Sequence, residues 1–103
     1  MAHLSVAAIA ERDVRRILTG LAKRAGYSVA SRYTEEFKAA YRAIAQSPGS
    51  GPPRPALGPN TRIKTVYPYV IIYDHEADTA TVLRVLHGRR NIARALIRRS
   101  KRG

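Results

Sequence analysis

The sequence predicts an α+β fold: a helical hairpin packed on a small antiparallel sheet, in the order β-α-α-β-β-β, with a short C-terminal helix. Three observations carry this. Two apolar stripes at helical period lie either side of Gly26-Tyr27, a Pro/Gly-rich stretch follows them, and three β-type runs then arrive in succession. The chain has 103 residues, enough for one domain over 1–103 and too few for two. It has no cysteine, which excludes disulfides, zinc–thiolate sites and thiol chemistry.

Each element has its own signal. Ala2–Leu4 reads as a short edge strand, and Ser5 as the N-cap of a first helix whose buried stripe is Val14, Ile17, Leu18, Leu21 and Ala22. Gly26 ends that helix near Ala25. Ala30, Tyr33, Phe37, Ala40, Tyr41 and Ile44 form the second stripe, with Ser28 or Ser31 as its cap. Ser47-Pro48 stops it, because the residue before a proline is disfavoured in α geometry. Residues 47–60 hold five of the six prolines and read as a stiff surface crossover. Three strands follow: Arg62–Val66, then the largely apolar Tyr69–Tyr73 at the sheet centre, then Thr79–His87 after an acidic turn over Asp74–Asp78. After Gly88, a narrow stripe of Ile92, Ala93, Leu96 and Ile97 makes the terminal helix.

Charge is the abnormal property. Nineteen Lys and Arg against seven acids give a net charge of +12, and fifteen of those cations are arginine. Residues 54–103 carry +8 of it and residues 1–53 carry +4. Such a surface attracts polyanions or an acidic partner. The opening Met1–Ser5 lacks a secretory signal, and the longest apolar run, Tyr67–Tyr73, is far too short for a bilayer span and is broken by Pro68. A cytoplasmic protein without membrane contact is expected.

Enzymatic templates are missing. There is no GxxxxGK[ST], no GxGxxG after a strand and no HExxH; His3, His75 and His87 have no metal-ligand spacing. His75 among Asp74, Glu76 and Asp78 reads as a solvated hairpin tip. No cofactor, metal or catalytic residue is therefore assigned. One constellation stands out: Arg84-Val-Leu-His87-Gly-Arg89-Arg90-Asn91. By strand alternation Arg84 shares a face with Val82 and Leu86, where a charge needs an anion or an acceptor. Two readings stay open at Arg84: a binding site, or an ion pair with an acid such as Asp13 while His87 donates to a backbone carbonyl.

The run Tyr69-Val-Ile-Ile-Tyr73, the acidic turn, and Val82-Leu-Arg-Val-Leu-His-Gly-Arg-Arg-Asn91 together resemble the ParE branch of the ParE/RelE toxin superfamily. That branch reads Y-V-I-x-Y and then I-x-R-V-L-H-G-x-R-D. Leu4-Ser5, Asp13-Val14, Ile17, Ala30, Tyr33, Pro48, Gly51 and Arg62 fall in register upstream. Val6 stands where the family often has proline, and Asn91 replaces the usual aspartate. The resemblance implies a toxin of a toxin–antitoxin pair that acts on DNA gyrase and is neutralised by an antitoxin with an acidic C-terminal tail. Arg84, His87, Arg89, Arg90, Arg94 and Arg98 are the candidate target-binding residues, with nucleic-acid contact through the target. Val82, Leu86, Arg62 and Lys64 are the candidate antitoxin contacts.

The RelE-like cousins are ribosome-dependent mRNA endonucleases. Those sequences supply an arginine after the aromatic that opens the central strand, and a C-terminal tyrosine or histidine. Here Val70 follows Tyr69, and the terminal helix offers Leu96 and Ile97 but no tyrosine. The alternative reading as such an RNase uses His87 as acid/base with Arg84, Arg90, Arg62 and Lys64 on phosphate. A third is a basic nucleic-acid-binding module built on the +8 half.

Overall fold

The computed structural model describes residues 1–92, 94 and 95. In chain order the elements are β1 (His3–Val6), α1 (Ala8–Ala25), α2 (Tyr27–Gln46), one 3-10 turn (Pro48–Ser50), β2 (Thr61–Val66), β3 (Tyr69–Glu76) and β4 (Thr79–His87). The order β-α-α-β-β-β is the predicted one. Of the predicted terminal helix, Ile92, Arg94 and Ala95 are helical; the remainder lies outside the described residues.

The strands lie in the order β1-β4-β3-β2. Both hairpins are antiparallel, but β1 pairs with β4 in parallel, Leu4 opposite Ala80 and Val6 opposite Val82, so the sheet is mixed. The reason is the route of the chain. α2 returns it to the end of the sheet where β1 began, with the Ala2 N–H donating to Ala45 O at 2.7 Å. From there β2 sets out, and two hairpins later β4 runs the same way as β1.

Ser5 lies in β1 instead of capping α1. Pairing with β4 continues through Ala7, whose N–H donates to Val82 O at 2.9 Å, and Ala7 becomes the N-cap. α2 follows α1 without a serine cap, because Gly26 at φ 97° turns the chain in a single residue. β3 and β4 extend past their predicted junction, leaving only Ala77-Asp78 as the turn.

The main core lies between the hairpin and the sheet: Ala10, Phe37, Ala40 and Ile44 meet Ile71, Tyr73, Val82 and Val85. Fully burying a side chain such as Ile71 stabilises the fold by about 1.5–3 kcal/mol. The opposite sheet face carries a second cluster of Ile72, Leu83 and Leu86, covered by Leu57 of the crossover, Ile92 and Ala95. The crossover is stapled to β2: Arg54 N–H donates to Thr61 O, and Ile63 N–H to Pro52 O. Buried Gly51 sits where a Cβ would collide with the Tyr73 hydroxyl and lie 2.5 Å from Ile63 O.

Candidate functional site

A register shift in the β3–β4 ladder decides what β4 presents. Ile72 faces Arg84 but Tyr73 faces Val82, so Leu83 is an inserted, bulged residue. The bulge resets the alternation, so Val82 joins the cluster beneath the helices and Leu86 the cluster on the other face. The expectation that Val82, Arg84 and Leu86 share one face is therefore corrected. Val82 is fully buried and Leu86 is 3% exposed, which leaves neither side chain open to an antitoxin.

Beside the bulge, Arg84 is held by Asp13 of α1. Arg84 Nε donates to Asp13 Oδ2 at 2.7 Å and Nη2 to Oδ1 at 3.0 Å, while the Val85 N–H adds a third bond to Oδ2 at 3.0 Å. Both residues are buried. This planar two-point pair joins α1 to the sheet and turns Arg84 away from any external target. Arg62 is engaged too: Nη1 donates to Gly49 O and Gly51 O at 2.9 and 2.7 Å, pinning the crossover. Lys64 lines a groove of about 340 Å³ between α2 and β2, with Glu36, Ala39, Ala43 and Tyr67.

The exposed cations that follow β4 sit at the end of the sheet where Tyr69 pairs with His87. His87 Nδ1 accepts the Arg89 N–H at 3.1 Å, and His87 O accepts the Arg90 N–H at 2.9 Å. Contrary to the sequence expectation, this histidine braces a turn as an acceptor and its neutral form carries the proton on Nε2. Asn91 caps the next turn: its Oδ1 accepts the Arg94 N–H at 3.0 Å, and its carbonyl the Ala95 N–H at 3.2 Å. Asparagine caps a helix as well as aspartate does, so the departure from the family pattern keeps this local structure. Arg89, Arg90 and Arg94 point their side chains into solvent, and Arg98 lies outside the described residues.

Tertiary structure adds aromatic residues that the sequence analysis assigned to the core or left unassigned. The Tyr69 ring packs edge-on to His87 at 5.8 Å and to Tyr33 at 5.7 Å. Arg32 stacks over Tyr33 with Cζ 5.4 Å from the ring centre. The Tyr33 hydroxyl donates to Tyr67 O at 3.2 Å, and Pro68 O accepts the Gly88 N–H at 2.9 Å. Tyr67 itself is 84% exposed. The signal that could have found it was its place beside Pro68, in a turn between two strands.

A second groove, of about 270 Å³, runs between α1, α2 and β1 and is lined by Val6, Glu11, Val14, Arg15, Leu18 and Tyr41. Burial, then Glu11 and Asp13, push the Tyr41 hydroxyl up to about 12. Among the described residues no group of three or more His, Asp or Glu could hold a metal ion, and no helix is long and apolar enough to cross a membrane.

A helical hairpin on this sheet, with a cation-rich strand-to-helix junction, is the build of the small basic toxins of toxin–antitoxin pairs. The chain belongs to the family described as the ParE toxin of type II toxin–antitoxin systems, whose profile matches residues 4–92. It is 27% identical over 84 residues to Toxin ParE3 of Caulobacter vibrioides, covering 82% of this chain and 84% of that one. Its fold is similar to a chain of the chromosomal ParDE toxin–antitoxin system from P. aeruginosa: TM-score 0.72, 19% identity, 84% of this chain and 96% of the other.

Proposed function

We propose that this ParE toxin inhibits DNA gyrase by binding it in the cytoplasm, without a catalytic step of its own, and that a cognate antitoxin with an acidic C-terminal tail neutralises it. The observation that carries the reading is the use of His87. Metal-free RNA cleavage needs a base with a free lone pair. In neutral His87 that lone pair is on Nδ1 and accepts the Arg89 N–H. The RNase alternative also loses Arg84 to Asp13 and Arg62 to the crossover carbonyls. What stays exposed, namely Arg89, Arg90 and Arg94, suits binding, with nucleic-acid contact arising through the gyrase complex.

For the antitoxin, the net charge of +12 favours an acidic tail. With Val82 and Leu86 buried, Lys64 and its groove remain from the sequence assignment, and the α1–α2–β1 groove offers a second apolar seat beside Arg15. The purified protein should inhibit gyrase supercoiling or accumulate gyrase-cleaved DNA, and leave ribosome-bound mRNA intact. Codon-specific cuts in the ribosomal A site would establish the RNase reading in its place, and inactivity toward both would refute gyrase as the target.

A further inference from the structure

The sheet end around Tyr67 has a composition that gyrase or antitoxin contact does not by itself require. We infer that it is a binding site for an unpaired nucleic-acid strand, with one base stacked on the Tyr67 ring and the flanking phosphates held by Arg89 and Arg90. Among the described residues the large apolar side chains left open are Met1, Tyr27 and Tyr67, the last at 84% exposure. Its backbone is nevertheless fixed on both sides, by the pairing of Val66 with Tyr69 before it and by the Tyr33 hydroxyl on Tyr67 O and the Gly88 N–H on Pro68 O after it. A rigid stem under a free ring loses little entropy on stacking, which makes it a prepared platform and not a loose loop residue.

The same backbone contact sets the cations beside it. Pro68 touches Gly88, and Arg89 and Arg90 come next, with their N–H groups anchored on His87 and their side chains exposed. On the α2 side of Tyr67, Glu36 and Lys64 line the groove and Arg32 lies over Tyr33, while the β4 side carries Arg89 and Arg90 and, among the described residues, no acid. The acids of the β3–β4 turn, Glu76 and Asp78, are at the far end of the strands. A ring with cations along one flank fits a single strand, whose bases expose their faces, better than a duplex, whose bases are stacked away.

The inference is tested by fluorescence anisotropy of labelled twelve-nucleotide oligo(dT), oligo(rU) and a duplex of the same length. Neither gyrase nor antitoxin is present, so the outcome is independent of the proposed target. Tyr67→Ala should weaken oligo(dT) binding about tenfold, as expected for one lost stack, and leave the salt dependence unchanged. Tyr67→Phe should keep it within about twofold. Arg89→Ala with Arg90→Ala should instead flatten the salt dependence, by a slope of about 0.7 per lost phosphate contact. The two single-stranded probes separate a DNA source from an RNA source. Equal oligo(dT) affinity for Tyr67→Ala and the parent, or duplex binding as tight as single-strand binding in both, would overturn the assignment.

Discussion

Removing Asp13 tests the structural role of Arg84 directly. The carboxylate accepts three hydrogen bonds, from Arg84 Nε, Arg84 Nη2 and the Val85 N–H, at 2.7, 3.0 and 3.0 Å. Asp13 is 4% exposed and Arg84 8%, so water cannot replace what Asp13→Ala removes. Breaking one side of a buried pair costs about 3–5 kcal/mol, and the orphaned Val85 N–H adds about 1 kcal/mol. Against a total stability of about 5–15 kcal/mol this is a large share. Urea unfolding followed by far-ultraviolet circular dichroism should show the midpoint falling by about 2 M or more, at a slope near 1.5 kcal/mol per M. Arg84→Met should cost less, because Asp13 still accepts the Val85 N–H and the methionine chain keeps the packing of the arginine stem. The double variant should be far better than the sum of the two, since no unpaired charge remains. A loss below about 1 kcal/mol for Asp13→Ala, or additive single losses, would refute the ion pair as a strut. It would return Arg84 to the list of target contacts.

Arg89→Ala with Arg90→Ala should leave stability within about 0.5 kcal/mol per site while reducing toxicity on expression, because both side chains are exposed; unfolding of this variant would show them to be structural. Gly51→Ala forces a methyl against the Tyr73 hydroxyl and Ile63 O, and thermal melts should show a loss of about 1–3 kcal/mol. Tyr41 should ionise near pH 12 in an absorbance titration, well after an exposed tyrosine. Its raised value means that the unfolded chain ionises first, so the stability it contributes is intact below pH 10 and declines from pH 10 towards 12. An unfolding midpoint that is less alkali-sensitive in Tyr41→Phe than in the parent checks that sign.

The element order and the core of α2 were legible in the sequence. In α1 the stripe of Val14, Ile17, Leu18 and Leu21 is only half-buried and Ala22 is exposed; the buried residues are Ala10 and Asp13, because the helix leans its first turns on the sheet. Helical stripes such as Ala30, Phe37, Ala40 and Ile44 and the apolar run of Tyr69–Tyr73 are local patterns, fixed by the 3.6-residue and two-residue periods of the backbone. Gly26 and Pro48 marked real boundaries because they act locally, Gly26 through its own positive φ and Pro48 through the restriction it places on Ser47. Ser5 misled because its alternative, main-chain pairing with residues some seventy-five positions away, has no local sign. The parallel β1–β4 pairing is of the same kind, and follows from the route α2 takes.

The site divided along the same line. The cations after Gly88 could be read from charge, and Asn91 from its capping chemistry. Which of the arginines remain free could not be, because that depends on where an acid on another element comes to rest. One bulged residue, Leu83, moved Leu86 to the opposite face from Val82, and Asp13 then took Arg84. Tyr33, Tyr67 and Tyr69 became one cluster with His87 only when α2, the β2–β3 turn and the end of β4 met in space. Short-range periodicity is written in the order of residues, whereas partner choice for a buried charge or a turn aromatic is settled by contacts between segments far apart in the chain.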